Sequence, residues 1–393
     1  MQGSSKTNLL ILGITLVICA GLLELALRYV LPEDMNTTWD LRIPHPVFGW
    51  ALKPDVRYSY RMLNKMVAVE YNSLGYRDTA HTFDNPAGTP RVVVLGDSFM
   101  EGFSVEHEEA FHKRLASHLA AGGVPSEVIN LGVGGYGTLQ EYLVYRDIGS
   151  RYRPQTVLLG FYFGNDLRNN SRELEVIVNA GSKKVESRPF LQQVTDGELV
   201  FTPVDYAGAE KRYHEALAAN DTLFRRLAGH SAVLRAAELV MARLLPDAEE
   251  ITEEYARQRD YVNLGMHHCE EPAQFTRAWE NTRLLLEQLQ RAVQADGARL
   301  VIFTVSAWHE VEPEYMARTI AGYHDADKLC LDEAPAYRRL AGIADGLGID
   351  MVNLLPEFRR RAEAGEQFFL ADRHWNAAGH ELAARAVAKV LLQ

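Results

Sequence analysis

Cysteine and positive charge are both scarce in this chain. Only three of its 393 residues are cysteines, none of them in a paired Cys-x-x-Cys motif, and the net charge is −11. No basic stripe with interleaved aromatic residues is present, so a nucleic-acid partner is not expected. The sequence also lacks an internal repeat and a P-loop. Its hydrophobic content of 47% and charged content of 24% are ordinary for a globular protein of one large domain or two smaller ones.

An apolar segment lies at the N-terminus. Residues 9–31 carry no charge apart from Glu24 and Arg28, and these 23 residues exceed the roughly 20 that a bilayer core requires. Glu24 and Arg28 lie four residues apart on one helical face and are expected to pair. Lys6 and the amino terminus are the nearest positive charges before the segment. The positive-inside rule therefore places residues 1–8 in the cytoplasm and the rest of the chain outside.

A cleavable signal peptide is the alternative interpretation of this segment. No clear Ala-x-Ala site follows the apolar core, and the residues before Cys19 match a lipoprotein cleavage site poorly because a small residue is wanted there. We therefore predict a transmembrane signal anchor over residues 9–31, in the cell inner membrane. The remainder of the chain is then periplasmic.

The two cysteines beyond this segment are Cys269 and Cys330. A disulfide between them requires Cα atoms within about 7 Å, which no sequence pattern indicates. We expect two unpaired cysteines. His267 and His268 precede Cys269 directly, but adjacent ligands cannot easily converge on one ion without further partners. This segment is therefore predicted to be a surface or capping element, and the sequence predicts no metal site.

Four short blocks carry the residues typical of acyl-transfer chemistry. They are Gly96-Asp97-Ser98 after an apolar run, the glycine-dense Asn130–Thr138, Gly164-Asn165-Asp166 after a third apolar run, and Asp372-Arg373-His374-Trp375-Asn376 before a helical pattern. Ser98 lies just beyond the carboxyl end of a predicted strand, where α/β sheets place ligands. A serine nucleophile needs a base, and the base needs a third group to orient it.

His374 and Asp372 supply that base and that third group. In an extended segment, side chains two residues apart point to the same face, so an aspartate–histidine hydrogen bond is possible. Asp97 and Ser98 also suit the N-cap of the following helix, so the serine block alone would indicate only capping. Together the four blocks favour catalysis.

Backbone and side-chain donors for an oxyanion hole occur in the second and third blocks. Glycines at positions 132, 134, 135 and 137 permit positive φ and let N–H groups approach a ligand closely. Asn165 can add a side-chain N–H, although an Asx turn or a helix cap is its alternative role. The backbone N–H of Ser98 is the remaining candidate donor.

In this order, the blocks resemble the serine, glycine, asparagine and histidine blocks of the SGNH/GDSL hydrolases, over roughly residues 40–393. The resemblance implies Ser98 as nucleophile, His374 as base and Asp372 as orienter, with no cofactor. Many family members place the aspartate three residues before the histidine. The Asp-x-His-Trp form found here is similar to the variant in periplasmic alginate O-acetylation enzymes and related membrane-anchored hydrolases.

The resemblance bears on two further segments. Family spacing from Asn130 favours Gly135 as the backbone oxyanion donor, with Gly134 close enough to compete. The segment Tyr71–Asp78 is also similar to bacterial members, either as a structural turn or, through Arg77, as a pocket edge.

Alternating strand and helix patterns predict a parallel sheet covered on both faces. The predicted strands are Arg91–Leu95, Glu127–Leu131, Thr156–Phe163, Arg299–Val305 and Asp350–Leu354. The predicted helices are Glu108–Ala121, Leu139–Arg151, Gln274–Ala295, Ala334–Leu347 and Ala377–Leu392. With the resemblance, residues 90–393 are expected to adopt the flavodoxin-like, three-layer α/β/α SGNH hydrolase fold with a five-stranded parallel sheet.

Two segments fall outside this alternation. Residues 167–273 form a long insertion after the third strand, with a hairpin pattern around Glu173–Val204, a turn at Asp196-Gly197 and a helical run over Ala207–Leu245. Because the insertion departs beside Asn165, it is expected to cap the site, with a packing or partner-binding appendage as the alternative. Residues 32–89 are predicted to be a stalk that becomes ordered near Tyr71.

These patterns predict an SGNH-type serine ester hydrolase or O-acyltransferase. Its expected substrate is an O-acyl group on a cell-envelope or exported glycan, and the resemblance to the polysaccharide acetylation enzymes implies that this group is acetyl. A lipid or small-ester esterase is one alternative. A catalytically silent scaffold in a polysaccharide modification or export complex is the other.

Overall fold

The computed structural model describes residues 2–30, 41–62, 65–179, 185–195, 198–228, 230–244 and 253–393. The chain divides into two compact units, of which the larger comprises 41–209 and 252–393 and the smaller comprises 1–40 and 210–251.

The strands in the described ranges are β1 (Arg42–His45), β2 (Gly49–Leu52), β3 (Arg57–Met62), β4 (Lys65–Glu70), β5 (Arg91–Leu95), β6 (Glu127–Asn130), β7 (Thr156–Tyr162), β8 (Leu191–Thr195), β9 (Glu198–Phe201), β10 (Arg299–Val305) and β11 (Asp350–Val352).

The helices are α1 (Gln2–Val30), α2 (Ser98–Glu101), α3 (Phe111–Ala121), α4 (Thr138–Asp147), α5 (Asp166–Asn169), α6 (Arg172–Val178), α7 (Tyr206–Asn220), α8 (Leu223–Ala228), α9 (Ala232–Leu244), α10 (Glu253–Leu264), α11 (Ala273–Ala295), α12 (Trp308–Val311), α13 (Pro313–Gly322), α14 (Pro335–Gly346), α15 (Leu355–Glu363) and α16 (Ala377–Leu391).

A five-stranded parallel sheet forms the centre of the larger unit, in the order β11-β10-β7-β5-β6. Every residue of β5 is buried, as expected for a valine-rich strand covered on both faces. Helix α3 packs against β6 and α16, while α11 packs against β10 and α4. The predicted α/β fold and its five strands are therefore confirmed. Strands β6, β7 and β11 end one or two residues earlier than predicted.

The five predicted helices are also present, with small differences at their ends. The chain from His107 to Glu109 is a separate 3₁₀ helix, and α3 begins only after Ala110, whose backbone is extended. Similarly, α4 ends at Asp147 and a 3₁₀ turn continues from Gly149 to Tyr152. A periodic apolar pattern cannot distinguish such a 3₁₀ continuation from the helix beside it.

The predicted stalk is wrong from Leu41 onward. Two antiparallel hairpins, β1–β2 and β3–β4, occupy this segment, and their inward residues belong to the main core, among them Leu41, Phe48, Leu52, Tyr58, Val67 and Val69. Prolines 46 and 54 lie in turns between strands rather than in an extended linker. The remaining stalk residues, 31–40, lie outside the described residues.

The insertion contains a hairpin and several helices. Strands β8 and β9 form the predicted hairpin. The first part of the segment in which the hairpin was predicted is instead helix α6, which Ser171 caps by accepting a hydrogen bond from the Leu174 N–H. The predicted turn at Asp196-Gly197 lies outside the described residues. The predicted helical run consists of α7, α8 and α9, and Leu245 lies outside the described residues.

The smaller unit contains α1 and the helical part of the insertion. Over Leu10–Tyr29, 20 residues with a mean hydropathy of 2.5, α1 is long and apolar enough to cross a membrane. The predicted Glu24–Arg28 pair is present, with Arg28 Nε 2.8 Å from Glu24 Oε1. Glu24 also accepts hydrogen bonds from the N–H groups of Ala232 and Val233 at the start of α9. Residues 210–251 thus group with α1, and the predicted cap role of the insertion stays a prediction.

Candidate active site

Ser98 is placed by a short turn between β5 and α2. Gly96 makes this turn at φ 154°, and the Asp97 side chain caps α2 by accepting a hydrogen bond from the Phe99 N–H at 3.0 Å. Burial raises the pKa of Asp97 to about 6, although that hydrogen bond, the charge of His374 and a hydrogen bond from Asn165 oppose the rise. The capping role predicted for Asp97 is therefore real, and the Ser98 hydroxyl contacts His374.

His374 lies within hydrogen-bonding distance of the serine. Its Nε2 is 2.8 Å from Ser98 Oγ, so the hydroxyl can donate to the ring when that nitrogen is unprotonated. The imidazole lies between the rings of Phe99 and Phe103, with centroid separations of 5.1 and 5.0 Å. These aromatic contacts restrict the ring orientation and keep Nε2 towards Ser98.

Asp372 lies on the other side of the imidazole, but not for the reason that the sequence spacing indicated. The intervening Arg373 has a left-handed backbone, with φ 73°, so the segment turns instead of running extended. In this turn the His374 N–H donates to Asp372 Oδ1 at 3.2 Å, and Asp372 Oδ2 lies 3.2 Å from His374 Nδ1. The latter contact is off the line of a well-formed hydrogen bond, since both atoms are without a hydrogen-bond partner among the described residues.

His374 nevertheless keeps the Asp372 side chain in its charged form. Burial raises the pKa of Asp372, but the nearby His374 ring, its charge and the hydrogen bond from the His374 backbone N–H outweigh burial and hold this pKa below its usual value. Asp372 is therefore an anion beside the imidazole. An anion in this position favours the imidazolium that forms when the ring accepts a proton.

The tryptophan of the fourth block anchors this turn. Trp375 is fully buried, its ring stacks on Phe358 at 5.3 Å, and it meets Phe99 edge-on at 5.1 Å. Asn376 then caps α16 by accepting from the Gly379 N–H. The turn with Asp372 and His374 is thus followed by a tryptophan that is buried in the core and an asparagine that caps α16. These two contacts fix the position of the turn.

The glycine block is held by Asn130. Its Oδ1 accepts from the Gly132 N–H at 3.1 Å, and its Nδ2 donates to the Met100 carbonyl at 2.8 Å. A side chain at Gly132 would overlap the backbone of Met100 and Glu101, at 2.7 Å from atoms of each. The loop therefore lies directly against α2, the helix that carries Ser98.

Gly134 and Gly135 can now be distinguished. The Gly134 N–H donates to Glu101 Oε2 at 2.7 Å and is therefore occupied. The Gly134 carbonyl accepts from the Trp50 indole N–H at 3.3 Å. Because C=O and N–H point in opposite directions across a trans peptide, this contact directs the Gly135 N–H away from Trp50. Gly135 is consequently the better candidate for the oxyanion donor, as the family spacing implied.

Asn165 contacts the serine turn through its amide. Its Nδ2 donates one hydrogen to Asp97 Oδ2 at 3.0 Å, and the second amide hydrogen stays available for a ligand. The residue precedes α5, but its side chain makes no capping hydrogen bond there. The capping alternative for Asn165 is therefore not observed.

Several side chains around the glycine loop were not identified from the sequence. Trp50 comes from the β1–β2 hairpin, and Arg188 of the insertion donates to the Gly135 carbonyl at 2.7 Å. Arg42 lies close by, because a Cβ on Gly134 would be 2.6 Å from its guanidinium and 3.6 Å from Ser98 Cβ. No motif marks these residues, since only the tertiary fold brings their segments to the loop.

The segment Tyr71–Asp78 is a structural turn. Asn72 Oδ1 accepts from the N–H groups of Leu74 and Tyr76, and Gly75 has a φ of 82°. Arg77 is almost completely buried and donates to the carbonyls of Gly102 and Val105. Of the two roles left open for Arg77, the structure supports the structural one.

The prediction of two unpaired cysteines is wrong, and only part of the prediction for the neighbouring histidines is confirmed. Cys269 and Cys330 form a disulfide with their Cα atoms 5.0 Å apart. His267 and His268 are 2% and 5% exposed, so this segment is not a surface element. The capping alternative is present, because His268 ends the 3₁₀ helix Gly265–His267 and its N–H donates to the Gly265 carbonyl. His268 Nε2 lies 2.8 Å from the Tyr323 hydroxyl. The pairing depends on the meeting of two segments 61 residues apart, which no local pattern reveals.

Residues 267–393 match the family described as SGNH hydrolase-like domain, acetyltransferase AlgX. Among curated proteins, none matches the chain significantly. Solved structures similar to it include the acetyl xylan esterase AlAXEase, at 12% identity over 77% of this chain and 99% of that one, with a TM-score of 0.38. A lipase/acylhydrolase from Enterococcus faecalis is similar at 12% identity over 77% and 95% of the two chains, with a TM-score of 0.37.

A catalytic mutant of Axe2, an acetylxylan esterase from Geobacillus stearothermophilus, is also similar, at 12% identity over 76% of this chain and 93% of that one, with a TM-score of 0.37. These likenesses are distant, and none of them assigns a substrate. The family match, by contrast, covers the block with Asp372 and His374, and residues 267–393 are similar to an SGNH hydrolase-like domain.

Proposed function

We propose that this chain belongs to the SGNH hydrolase family and is an acyl-ester hydrolase or O-acyltransferase in which Ser98 is the nucleophile, His374 the base and Asp372 its orienter. The observation that carries the proposal is the 2.8 Å separation of Ser98 Oγ and His374 Nε2. A serine within reach of a base, with a carboxylate on the base's far nitrogen, is the arrangement that activates a hydroxyl for attack on an ester.

The first half of the reaction forms an acyl-enzyme. Ser98 Oγ attacks the carbonyl carbon of the ester while its proton passes to His374 Nε2, and the carbonyl oxygen becomes an oxyanion. The N–H groups of Ser98 and Gly135 and the free amide hydrogen of Asn165 are the donors for this oxygen. The tetrahedral intermediate then collapses, and His374 returns the proton to the departing alcohol.

The second half transfers the acyl group from Ser98 to an acceptor hydroxyl. Water as acceptor makes the protein an esterase, and a sugar hydroxyl makes it an acyltransferase. In either case His374 Nε2 takes the proton of the acceptor and returns it to Ser98 Oγ. The same residues serve both outcomes, so the distinction depends on what occupies the space beside the acyl-serine.

The proposed substrate is an O-acetyl group on a cell-envelope or exported glycan. Support comes from the matched family, whose description names an acetyltransferase. The proposed location is the cell inner membrane, anchored by α1, with the larger unit in the periplasm. The Cys269–Cys330 disulfide supports this location, because disulfides persist in oxidising compartments such as the periplasm.

Two alternatives have distinct signatures. A lipid or small-ester esterase would prefer longer acyl chains and ignore a glycan acceptor. A silent scaffold would not turn over any ester, although the contact between Ser98 and His374 speaks against that. We retain both as outcomes of the following experiment.

The test uses the full chain in detergent and a fluorophosphonate probe, which labels activated serines. We expect wild-type protein to be labelled and Ser98→Ala protein not to be, with Ser73→Ala, an exposed serine, as the matched control. Turnover of acetyl and longer-chain esters, with and without an acetyl-free oligosaccharide, then separates the substrate classes. Absence of labelling in folded wild-type protein would favour the scaffold.

The proposed topology is tested separately. A periplasmic reporter fused after Gln393 should be active, and a carbonate wash should leave the protein in the membrane fraction. Release into the soluble fraction with a new N-terminus after residue 20 would show a cleaved signal peptide instead.

A further inference from the structure

A second group of histidines and an aspartate converges next to Asn130, outside the proposed triad. Asp78 ends the turn after β4, His107 begins the 3₁₀ helix before α3, and His112 is the second residue of α3. Asp78 and His112 are buried, whereas the His107 side chain is 32% exposed. The three side chains meet through His107 Nε2, His112 Nε2 and Asp78 Oδ1.

The separations of these atoms are those of ligands around one ion. His107 Nε2 and His112 Nε2 are 3.2 Å apart, and they lie 3.7 and 3.4 Å from Asp78 Oδ1. A charge-assisted hydrogen bond would bring nitrogen and oxygen to about 2.7–2.9 Å. Neighbouring ligands of a tetrahedral zinc ion with bonds of about 2.0–2.1 Å are instead about 3.3–3.4 Å apart.

One point is therefore within bonding distance of all three atoms. For a triangle with these sides, the equidistant point lies about 2.0 Å from each corner, which is the length of a zinc–nitrogen or zinc–oxygen bond. Asp78 and His107 also line a cavity of about 470 Å³, from which a water would supply the fourth ligand. Two imidazoles, one carboxylate and a water form a ligand set that suits zinc and similar divalent transition ions.

The carboxylate is held in place by its neighbours on both oxygens. Asp78 Oδ1 accepts from the Thr79 N–H at 2.7 Å, which leaves one lone pair of this oxygen for an ion on the side of the histidines. Asp78 Oδ2 accepts from the Asn130 N–H at 2.9 Å and lies 3.0 Å from His81 Nε2. The other ring nitrogen of His81 is 2.6 Å from Glu127 Oε1. Such outer contacts orient metal ligands and are typical of bound-metal sites.

Lys113 offers the rival explanation of the cluster. Its Nζ lies 3.5 Å from Asp78 Oδ1, so the ammonium group can neutralise the buried carboxylate without an ion. The lysine side chain is 20% exposed and flexible, and it can leave when a dication binds. The two explanations differ in what removal of Lys113 should do.

We propose that Asp78, His107 and His112 bind a divalent transition-metal ion of the zinc type. The ion would connect the turn after β4 to the start of α3. Since Asp78 also holds the N–H of Asn130, which anchors the glycine block, the ion would stabilise the support of the candidate oxyanion hole without touching the reacting atoms. The site lies outside the proposed triad and does not depend on the proposed chemistry.

The experiment uses the full chain in detergent, stripped with a chelator and dialysed against zinc. Elemental analysis of wild-type protein should find one zinc per chain, and zinc should raise the melting temperature. His107→Ala, which changes a partly exposed residue, and Asp78→Asn should each weaken zinc binding more than tenfold, since each removes a ligand. His118→Ala, on the same helix but paired with Glu381, is the matched control and should bind like wild type.

Two further measurements separate the explanations. Cobalt in place of zinc should give the visible absorption of a tetrahedral site in wild type and lose it in His107→Ala. Lys113→Met should tighten zinc binding if lysine only competes for Asp78. Folded wild-type protein without stoichiometric zinc, or equal zinc binding by wild type and His107→Ala, would overturn the proposal. A strongly destabilised Lys113→Met protein that binds no zinc would establish the lysine as the partner of Asp78.

Discussion

Two histidine–aspartate groups lie in the larger unit, and they are built from the same residue types in different geometries. In the proposed triad, Ser98 and Asp372 lie on opposite ring nitrogens of His374, at 2.8 and 3.2 Å. In the Asp78 cluster, two imidazoles direct the same nitrogen, Nε2, towards one carboxylate oxygen. In the first arrangement a proton can move between Ser98 Oγ and His374 Nε2, with Asp372 beside the opposite ring nitrogen. In the second, two nitrogen atoms and one oxygen atom lie within 3.2–3.7 Å of one another.

Exposure separates the two groups further. The Asp372 and His374 side chains are 21% and 22% exposed, whereas Asp78 is completely covered. A catalytic triad must be accessible to its substrate, while a structural ion site needs only rigid ligands. The comparison shows that the direction of the ring nitrogens, rather than the presence of histidine and aspartate, decides which chemistry is possible.

The largest expected effect is the loss of ester hydrolysis when the proposed nucleophile is removed. Ser98→Ala should fold normally and lower ester hydrolysis about a thousandfold or more, because the nucleophile of a triad is lost. The measurement is initial-rate hydrolysis of a small acetyl ester by detergent-solubilised protein, with Ser73→Ala as the control. Turnover at the wild-type rate by folded Ser98→Ala protein would end the proposed mechanism.

Loss of the base should be nearly as severe. His374→Ala is expected to lower the rate almost as much as Ser98→Ala, and the double variant should be little worse than either, since residues of one relay act as a unit. Asp372→Asn should cost less, because its contact with the ring is off the hydrogen-bond line. Additive losses in the double variant would show that the two residues act independently, contrary to the proposed relay.

A third kind of histidine, His380, is buried and has no carboxylate partner within the described part of the chain. Burial, with the charges of Arg77 and nearby histidines, lowers the pKa of His380 to about 3. The folded protein therefore binds fewer protons than the unfolded chain between about pH 6.5 and 3, and stability falls as the pH falls through this window. At pH 5, this histidine should lower the free energy of unfolding by about 2 kcal/mol relative to pH 7.

The measurement is the melting temperature as a function of pH. Glutamine cannot ionise. The melting temperature of His380→Gln should therefore fall less between pH 7 and pH 5 than that of wild type, whatever the stability of the variant at pH 7. His324→Gln, at an exposed position, should keep the wild-type slope. Identical slopes for wild type and His380→Gln would show that His380 does not stay neutral in the folded protein.

The smallest expected effect is on the rate when the hydrogen bond that holds the glycine loop is removed. Trp50→Phe removes the indole N–H that holds the Gly134 carbonyl but keeps an aromatic ring. We expect kcat to fall about fivefold to tenfold, the equivalent of one net hydrogen bond of about 1 kcal/mol, with little change in KM. Reaction with the fluorophosphonate probe should slow in proportion. A rise in KM at constant kcat would instead place Trp50 in substrate binding.

Much of the sheet and most of the site were predictable from local patterns. Val92–Leu95 is a strand because a valine-rich run between turn residues can be buried on both faces, and Ser98 follows it directly. The order of the four blocks indicated which residues meet, because carboxyl ends of parallel strands share one edge. The turn at Arg373 was not predictable, since a left-handed arginine leaves no periodic signal.

The sequence by itself determined the apolar N-terminal segment, the five parallel strands and the choice of Ser98, His374 and Asp372 as candidate site residues, because each depends on local spacing and burial. Only the tertiary structure made Gly135 a better candidate donor than Gly134, and only it decided the contacts of Trp50 and Arg188, the Cys269–Cys330 disulfide and the Asp78 cluster. The physical reason is that each of these joins segments far apart in the chain. Their geometry exists only after the core has packed, and no local periodicity encodes it.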